Sequence, residues 1–368
     1  MLRKIFILGG SYLQLDLILE AKKMFFYTIV LDIDSKCIGS KWCDEFLPID
    51  IADKELVLQK AKQYKIDAIL TSATELGNIT ACYVGEKLGL NTNSYQTALN
   101  TTNKLLMKKI LAQNGIKIAK YQLVENEKDI YKWHIFPCIV KPIDSSAGRG
   151  ISYCNLKDEL FKAFKKAQIY SKDKAVLIEE YIKGRQYSCE TISSNTNHQL
   201  IAIDTEYIHT PPHIMEISHT IPTNISNSLR DKIYNTAIKV LNAFHIKYGA
   251  AHIELRVTDK DDIFIIELAT RTGGMRTEMI NLAYGISYSQ LLLQSALNIL
   301  EPNITPSITR EVKCNFIISY EAYKEYLSLK EDDKYIIFEP FEIPKVEEGF
   351  IAENIGVSKG YYYVLGKK

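Results

Sequence analysis

The sequence predicts an α/β protein, with a parallel βαβ sheet first, an antiparallel sheet in the middle of the chain and a small strand-rich segment at the end. Residues 1–100 alternate short apolar strands with amphipathic helices. Residues 249–274 alternate around a polar knot, as a β-hairpin does. Residues 312–368 are strand-rich, with turns at Glu348-Gly349 and Lys359-Gly360. The divisions expected are 1–100, 101–300 and 301–368.

At 368 residues, 46% hydrophobic and 24% charged, the chain is long enough for two or three packed units. Forty-five basic against forty-four acidic side chains leave a net charge of +1, so nothing points to a nucleic-acid partner. No run approaches the roughly 18 apolar residues of a membrane span. The apolar core of Met1–Gly10 is too short for a secretory leader. A cytoplasmic protein with no membrane partner is therefore expected. The seven cysteines form no CxxC pair, and most lie in apolar runs and read as buried thiols, with no zinc site.

Lys4–Leu8 is a short strand, Gly9-Gly10 a tight turn and Leu13–Ala21 a helix; Tyr27–Ile33 and Ala68–Thr71 are strands, and Glu75–Leu88 is a second helix. That order calls for parallel strands joined by crossover helices. The GGSYLQ turn could hold an anion at the helix start, but it lacks the GxGxxG pattern, and a structural turn is the expectation. Asn103–Asn114 is an amphipathic helix with Lys104, Lys108 and Lys109 on its basic side, closed by Gly115. Phe136–Gly150 delivers Lys141 from a buried strand into a loop of Asp144, Ser145, Ser146, Ala147, Gly148, Arg149 and Gly150, whose small residues let backbone N–H groups approach an anion. No Walker A motif is present. Ala175–Ile182 is a strand with a polar end, Asp204–Pro222 a His- and Pro-rich loop, and Glu278–Leu297 a helix interrupted near Gly285.

In the hairpin, pairing Thr258 with Ile263 across the loop Asp259–Asp262 places Glu254 opposite Glu267. Opposed carboxylates repel unless a cation lies between them. Mg²⁺ takes such ligands, binding through one or two carboxylates together with nucleotide phosphates. His252 and Arg256 flank Glu254 on the same face, and Arg271 follows Glu267 by four residues. The alternative is a solvated hairpin face with two ordinary glutamates; clustered charge of both signs argues against it.

A Glu on one strand, a second Glu on the next and an Arg four residues later resemble the metal- and phosphate-binding end of the ATP-grasp ligases. Ordered motifs over residues 104–271 extend the resemblance. It implies an ATP-grasp domain over 101–300, with a flexible lid over roughly 118–185 closing on an antiparallel core sheet. The preceding domain resembles that of the purine carboxylases. The resemblance further implies ATP contacts from Lys104, Lys141, Ser145, Ser146 and Gly148, adenine contacts at Glu179 and Ile182, and a ribose contact at Gln186, where the family usually has Glu. Mg²⁺, or Mn²⁺ in its place, falls to Glu254 and Glu267. The family's Asn two residues after the second Glu is Ala269 here, which implies a looser second metal site. Glu216-x-x-His219-x-x-Pro222 resembles the substrate loop of the L-amino-acid ligase branch. This implies Glu216 at an α-ammonium, Arg271 at the reacting carboxylate or acyl phosphate, and His219 at the acyl phosphate or the incoming amine.

The activity implied is ADP-forming ligation of a small-molecule carboxylate to an amine through an acyl phosphate, with an amino acid as at least one substrate and a homodimer as one assembly open to it. A purine- or biotin-type carboxylase and a non-catalytic nucleotide-binding regulator are the alternatives; Ala269 and Gln186 would suit the regulator.

Overall fold

The computed structural model describes residues 2–145, 148–209 and 214–367. Strands β1 (Lys4–Leu8), β2 (Tyr27–Asp32), β3 (Glu45–Pro48) and β4 (Ala68–Leu70) form a parallel sheet in the order β3-β2-β1-β4. Helices α1 (Tyr12–Lys23), α2 (Lys54–Tyr64) and α3 (Glu75–Leu88) belong to this unit. β1 and β4 are almost wholly buried, which is why they read as unbroken apolar runs. Ser11 caps α1 reciprocally with Gln14. The Gly9-Gly10 turn is closed on itself: Gly9 N–H donates to the Leu31 carbonyl and Gly10 N–H to Asp32 Oδ2, both at 2.8 Å. A Cβ on Gly10 would lie 2.4 Å from Cys37 Sγ, so the glycine serves packing.

Helices α4 (Tyr95–Thr102) and α5 (Lys104–Gln113) meet at Asn103, whose side chain accepts from the N–H groups of Leu105 and Leu106 and aims the first turn of α5. A second sheet follows over the segment expected to form the lid, with β5 (Tyr121–Val124), β6 (Cys138–Pro142), β7 (Ser152–Cys154) and β8 (Val176–Glu180) in the order β5-β8-β6-β7, all antiparallel. Helix α6 (Leu160–Tyr170) covers it with Leu160, Ala163, Phe164 and Ala167.

The central sheet has eight antiparallel strands in the order β13-β12-β9-β10-β11-β14-β16-β15. They are β9 (Arg185–Ser194), β10 (Asn197–Ile208), β11 (Glu216–Ile221), β12 (Gly249–Val257), β13 (Ile263–Ala269), β14 (Val312–Phe316), β15 (Tyr335–Phe338) and β16 (Tyr361–Gly366). Helix α7 (Asn227–Ala243) and α5 pack on one face through Met107, Leu111, Ile233 and Val240, against Cys189, Ile253, Leu255 and Ile265. α8 (Arg276–Tyr284) and α9 (Tyr288–Ala296), separated at Gly285 as expected, join β1 and α1 in a second core. Helix α10 (Tyr320–Glu331) covers the C-terminal strands through Tyr326. No helix among the described residues is long and apolar enough to cross a membrane.

The structure corrects three expectations. The segment 204–222 is mostly strand, the end of β10 and all of β11, with its connection outside the described residues. The strands after residue 311 extend the central sheet through β11. In the hairpin Val257, not Thr258, pairs with Ile263, so the loop is one residue longer than expected; a bulge at Ile266 then restores the Glu254–Glu267 pair.

Gly184, between lid and central sheet, has φ +153° and sits so close to β12 that a Cβ would lie 2.2 Å from the Val257 carbonyl oxygen. Gly184→Ala should cost about 2–3 kcal/mol of stability. Urea denaturation checks this; an unchanged midpoint would mean that the close approach is not made.

Candidate active site

On the face of the central sheet away from α7, alternate residues of five neighbouring strands are polar. Glu267, Glu254, Ser188 and Asp204 stand in register across β13, β12, β9 and β10. Beside them Arg256, Gln186, Glu206 and His219 stand in register across β12, β9, β10 and β11, and His252 pairs with Glu190. Residues opposed in this way share a face. A second bulge, at Ile217, puts Glu216 opposite Ile208 and so on the same side as His219, whose Nε2 lies 3.0 Å from Glu216 Oε2.

The lid and α5 bring lysines to this face. Lys104 Nζ is 2.9 Å from Glu267 Oε1 and donates to the Ser145 carbonyl at 3.0 Å, so it touches both the core sheet and the lid loop. Lys141 and Lys108 clamp the two oxygens of Glu179 at 2.9 and 3.0 Å, all three side chains being buried. At the hinge, where β8 passes into β9, an open cleft of about 400 Å³ is lined by Phe136, Pro137, Tyr181, Ile182 and Phe264. On the opposite flank Arg276, opening α8, sits 2.5 Å from Asp204, 2.8 Å from Glu206 and 3.0 Å from His219 Nδ1. Arg271 pairs with Glu75 of α3 at 2.8 Å.

These contacts set the protonation states. Burial opposes charge on Glu267, yet Lys104 and Lys141 outweigh it and hold the carboxyl below its usual range. Lys108 and Lys141 do the same for Glu179, while burial pushes the Lys108 ammonium down. Burial alone would lower His252, but Glu190, 2.6 Å from Nδ1, and Glu254 raise it to about 10. His219 is the reverse: burial, helped by neighbouring Arg276, lowers it to about 4, so the ring is neutral. Burial pushes Asp204 and Glu206 up, and Glu206 is raised further by Glu254 and Glu216.

Among the described residues two groups bring potential metal ligands within 4.8 Å of one another, Asp204 with Glu206 and His219, and Glu206 with His252 and Glu254. Arg276 already serves the first, and protonated His252 the second. Glu254 and Glu267 remain part-exposed and opposed, and two carboxylates facing an open site fit Mg²⁺.

The residues anticipated from sequence are distributed unevenly. Lys104, Glu254, Glu267 and the lid strand bearing Lys141 converge; Ile182 and Gln186 lie at the hinge, and Glu216 at the opposite edge. Glu179, expected at the adenine, is inside the β8 ladder, and its carboxylate binds lysines. His219, expected in a loop, is on a strand, fully buried, with both nitrogens engaged. Gly148 has φ +70° with open space where a Cβ would be, and Ser146 lies outside the described residues. Lys108, Glu190, Glu206 and Arg276 were not anticipated. The i,i+4 spacing from Lys104 to Lys108 and the period-two series Gln186, Ser188, Glu190 and Asp204, Glu206 would have found most of them.

Residues 134–279 match the model described as ATP-grasp domain. The chain thus carries an ATP-grasp domain over these residues. Among curated relatives, the formate-dependent phosphoribosylglycinamide formyltransferase of Prochlorococcus marinus is 29% identical over 352 residues, covering 91% of this chain and 88% of that protein. The L-arginine-specific L-amino acid ligase of Bacillus subtilis is 25% identical over 285 residues, covering 72% and 67%. Among solved structures, the N5-carboxyaminoimidazole synthetase of Staphylococcus aureus complexed with ADP matches with a TM-score of 0.79 at 18% identity, covering 100% of this chain and 94% of that one. The fold of that synthetase thus extends over all three sheets of this chain.

Two predictions follow from the charges. Glu267 has its own cation in Lys104, so Glu267→Gln should relieve no repulsion; it should instead leave the buried lysine short of a partner and cost about 1–2 kcal/mol without nucleotide, measured by urea denaturation. His252 binds its proton more tightly folded than at its ordinary 6.5. Its contribution is therefore complete below about pH 6.5 and declines as pH rises toward about 10. His252→Gln should flatten the fall of Tm over that window; an unaltered profile would place the proton elsewhere.

Proposed function

We propose that this ATP-grasp chain is an ADP-forming carboxylate–amine ligase acting on at least one α-amino acid. The observation that carries the reading is Lys104, which contacts the lid loop at Ser145 and the core carboxylate Glu267 at once. Loop, lysines and opposed carboxylates therefore converge on one place, which suits a triphosphate held between lid and sheet.

In this reading Lys104, Lys141 and the loop 144–150 hold the phosphates, and Ile182 and Gln186 lie at the base and ribose. Glu254 and Glu267 would hold Mg²⁺, which supplies neutralisation of phosphate charge when bound. A substrate carboxylate oxygen attacks the γ-phosphorus, the bond to ADP breaks and an acyl phosphate forms. The amine then attacks the acyl carbon, loses a proton and expels phosphate, leaving an amide. Arg271 is the guanidinium for the carboxylate and the oxyanion, and Glu216 the partner of an α-ammonium. Neutral, buried His219 acts through Glu216 and Arg276 and positions them; it does not itself reach the substrate.

A phosphoribosyl substrate, as in the name of the Prochlorococcus relative, is the second reading, favoured by that relative's 91% coverage of the chain. Against it, the N–H groups of Gly9, Gly10 and Ser11 are all engaged internally, so the N-terminal turn offers no ready cradle for a substrate phosphate.

ADP release across a matrix of amino acids, formate and bicarbonate tests the proposal. Glu216→Ala should raise the KM for the amino acid at least about tenfold, the loss of one charge-assisted contact, and leave that for ATP nearly unchanged. Turnover driven equally by formate or bicarbonate without an amino acid, and indifferent to Glu216→Ala, would overturn it. Lys141→Ala should raise the ATP KM roughly ten- to a hundred-fold; parent-level ATP kinetics would remove the lid from the site.

A further inference from the structure

Gln186 makes contacts that a ribose ligand alone would not need, and what they imply rests on the ligase reading above. Its Oε1 accepts from Arg256 Nε at 3.0 Å, and its Nε2 donates to Glu206 Oε2 at 2.7 Å. Arg256 has only donors and a carboxylate only acceptors, so the orientation of the amide is fixed by its neighbours. On the lid side, Arg256 donates to the Ile182 carbonyl at 2.8 Å and stacks 4.5 Å over Tyr181, whose ring meets Tyr153 of β7 edge-on. On the other side, Glu206 Oε1 accepts from Arg276, which also reaches Asp204 and His219, and His219 holds Glu216. One hydrogen-bonded chain thus runs from the hinge to β11, and Gln186 and His219 are its neutral links, each between two charged groups.

We propose that Gln186 is a positioning residue that couples nucleotide binding at the hinge to the acceptor side of the site through Glu206, Arg276 and His219. A ribose hydroxyl that takes either bond of the amide must compete with Arg256 or Glu206. Releasing Glu206 alters its hold on Arg276, and Arg276 sets the ring that holds Glu216. A glutamate at 186 would keep the Arg256 bond but turn a second carboxylate on Glu206, cutting the chain at that point. The departure from the family's usual Glu is in this view what makes the coupling.

Hydrogen–deuterium exchange of the full chain with Mg·AMP-PNP as probe tests the coupling, read on the hinge (176–186) and on β11 with the start of α8 (216–221 and 271–280). In the parent both regions should be protected by the nucleotide. Gln186→Glu should keep hinge protection and reduce the nucleotide-induced protection at β11 by about tenfold, within the usual range of coupling between sites. The exchanged pair Gln186→Glu with Glu206→Gln restores one carboxylate and one amide and should recover most of it; urea midpoints confirm that each variant is folded. An unchanged β11 response in Gln186→Glu, failure of the exchanged pair to rescue, or equal loss at the hinge would overturn the coupling, the last leaving Gln186 a simple nucleotide contact. The ligase reading fails separately, by absence of ADP release with every carboxylate and amine. No protection at the parent hinge would sink both.

Discussion

Arg276 lies between the buried carboxylates of Asp204 and Glu206, and much of the surrounding backbone exists to put it there. A carboxylate buried without a partner costs several kcal/mol, so a sheet face carrying Glu190, Asp204, Glu206, Glu254 and Glu267 needs cations beside it. α8 supplies Arg276, α5 supplies Lys104, and the sheet itself supplies His252. The approach of α8 is tight: a Cβ on Gly273 would lie 2.3 Å from Glu190 Oε1 and 2.8 Å from His252 Nδ1, and Met275 adopts φ +63° just before the helix. Strain of this kind is held only where neighbours over-determine it. Here the neighbours are the ion pairs.

Aim matters as much as charge. Strand residues alternate between faces, so a carboxylate one position out of step points into the core with α7. Two of the sheet's register shifts, at Ile217 and Ile266, correct such a step. The first brings Glu216 to the face of His219, and the second brings Glu267 opposite Glu254 after the loop has moved the pairing by one. Each bulged residue is an isoleucine, so the correction places no extra polar group in the core.

How far the sequence revealed this depends on the kind of signal. The N-terminal strands and helices were legible because parallel strands buried on both faces are unbroken apolar runs, and Glu75–Leu88 was placed to the residue. The Glu254–Glu267 pair was legible too, although the loop assumed for it was one residue short and the bulge compensated. β9 and β10 were not legible: their site face carries Gln186, Ser188, Glu190, Asp204 and Glu206, so alternation read as polarity rather than as a strand. Lys108 was legible only as part of a helix's basic side, because its partner Glu179 is 71 residues away in sequence and only the fold joins them. Long-range compensation is the part that sequence pattern hides.

The N-terminal sheet acquires a clearer role from the same contacts. Thr272 Oγ1 meets Ser72 Oγ at 2.9 Å and accepts from the Ala73 N–H at 3.1 Å; Thr270 meets Asn78 and Thr101; and Glu75 pairs with Arg271. Three consecutive residues after β13, Thr270, Arg271 and Thr272, are thereby fixed from outside the central sheet. Each neutral bond is worth only about 0.5–1.5 kcal/mol. Together they fix the turn that carries Arg271, whose charge acts on Glu267 and Glu254 while its ion pair is with Glu75. With Arg271 tied to Glu75 and Lys104 and His252 serving the two glutamates, a cationic group stays available beside a carboxylate pair that is still part-exposed. The N-terminal unit therefore contributes to the site by restraining a guanidinium, whether or not it touches a ligand itself.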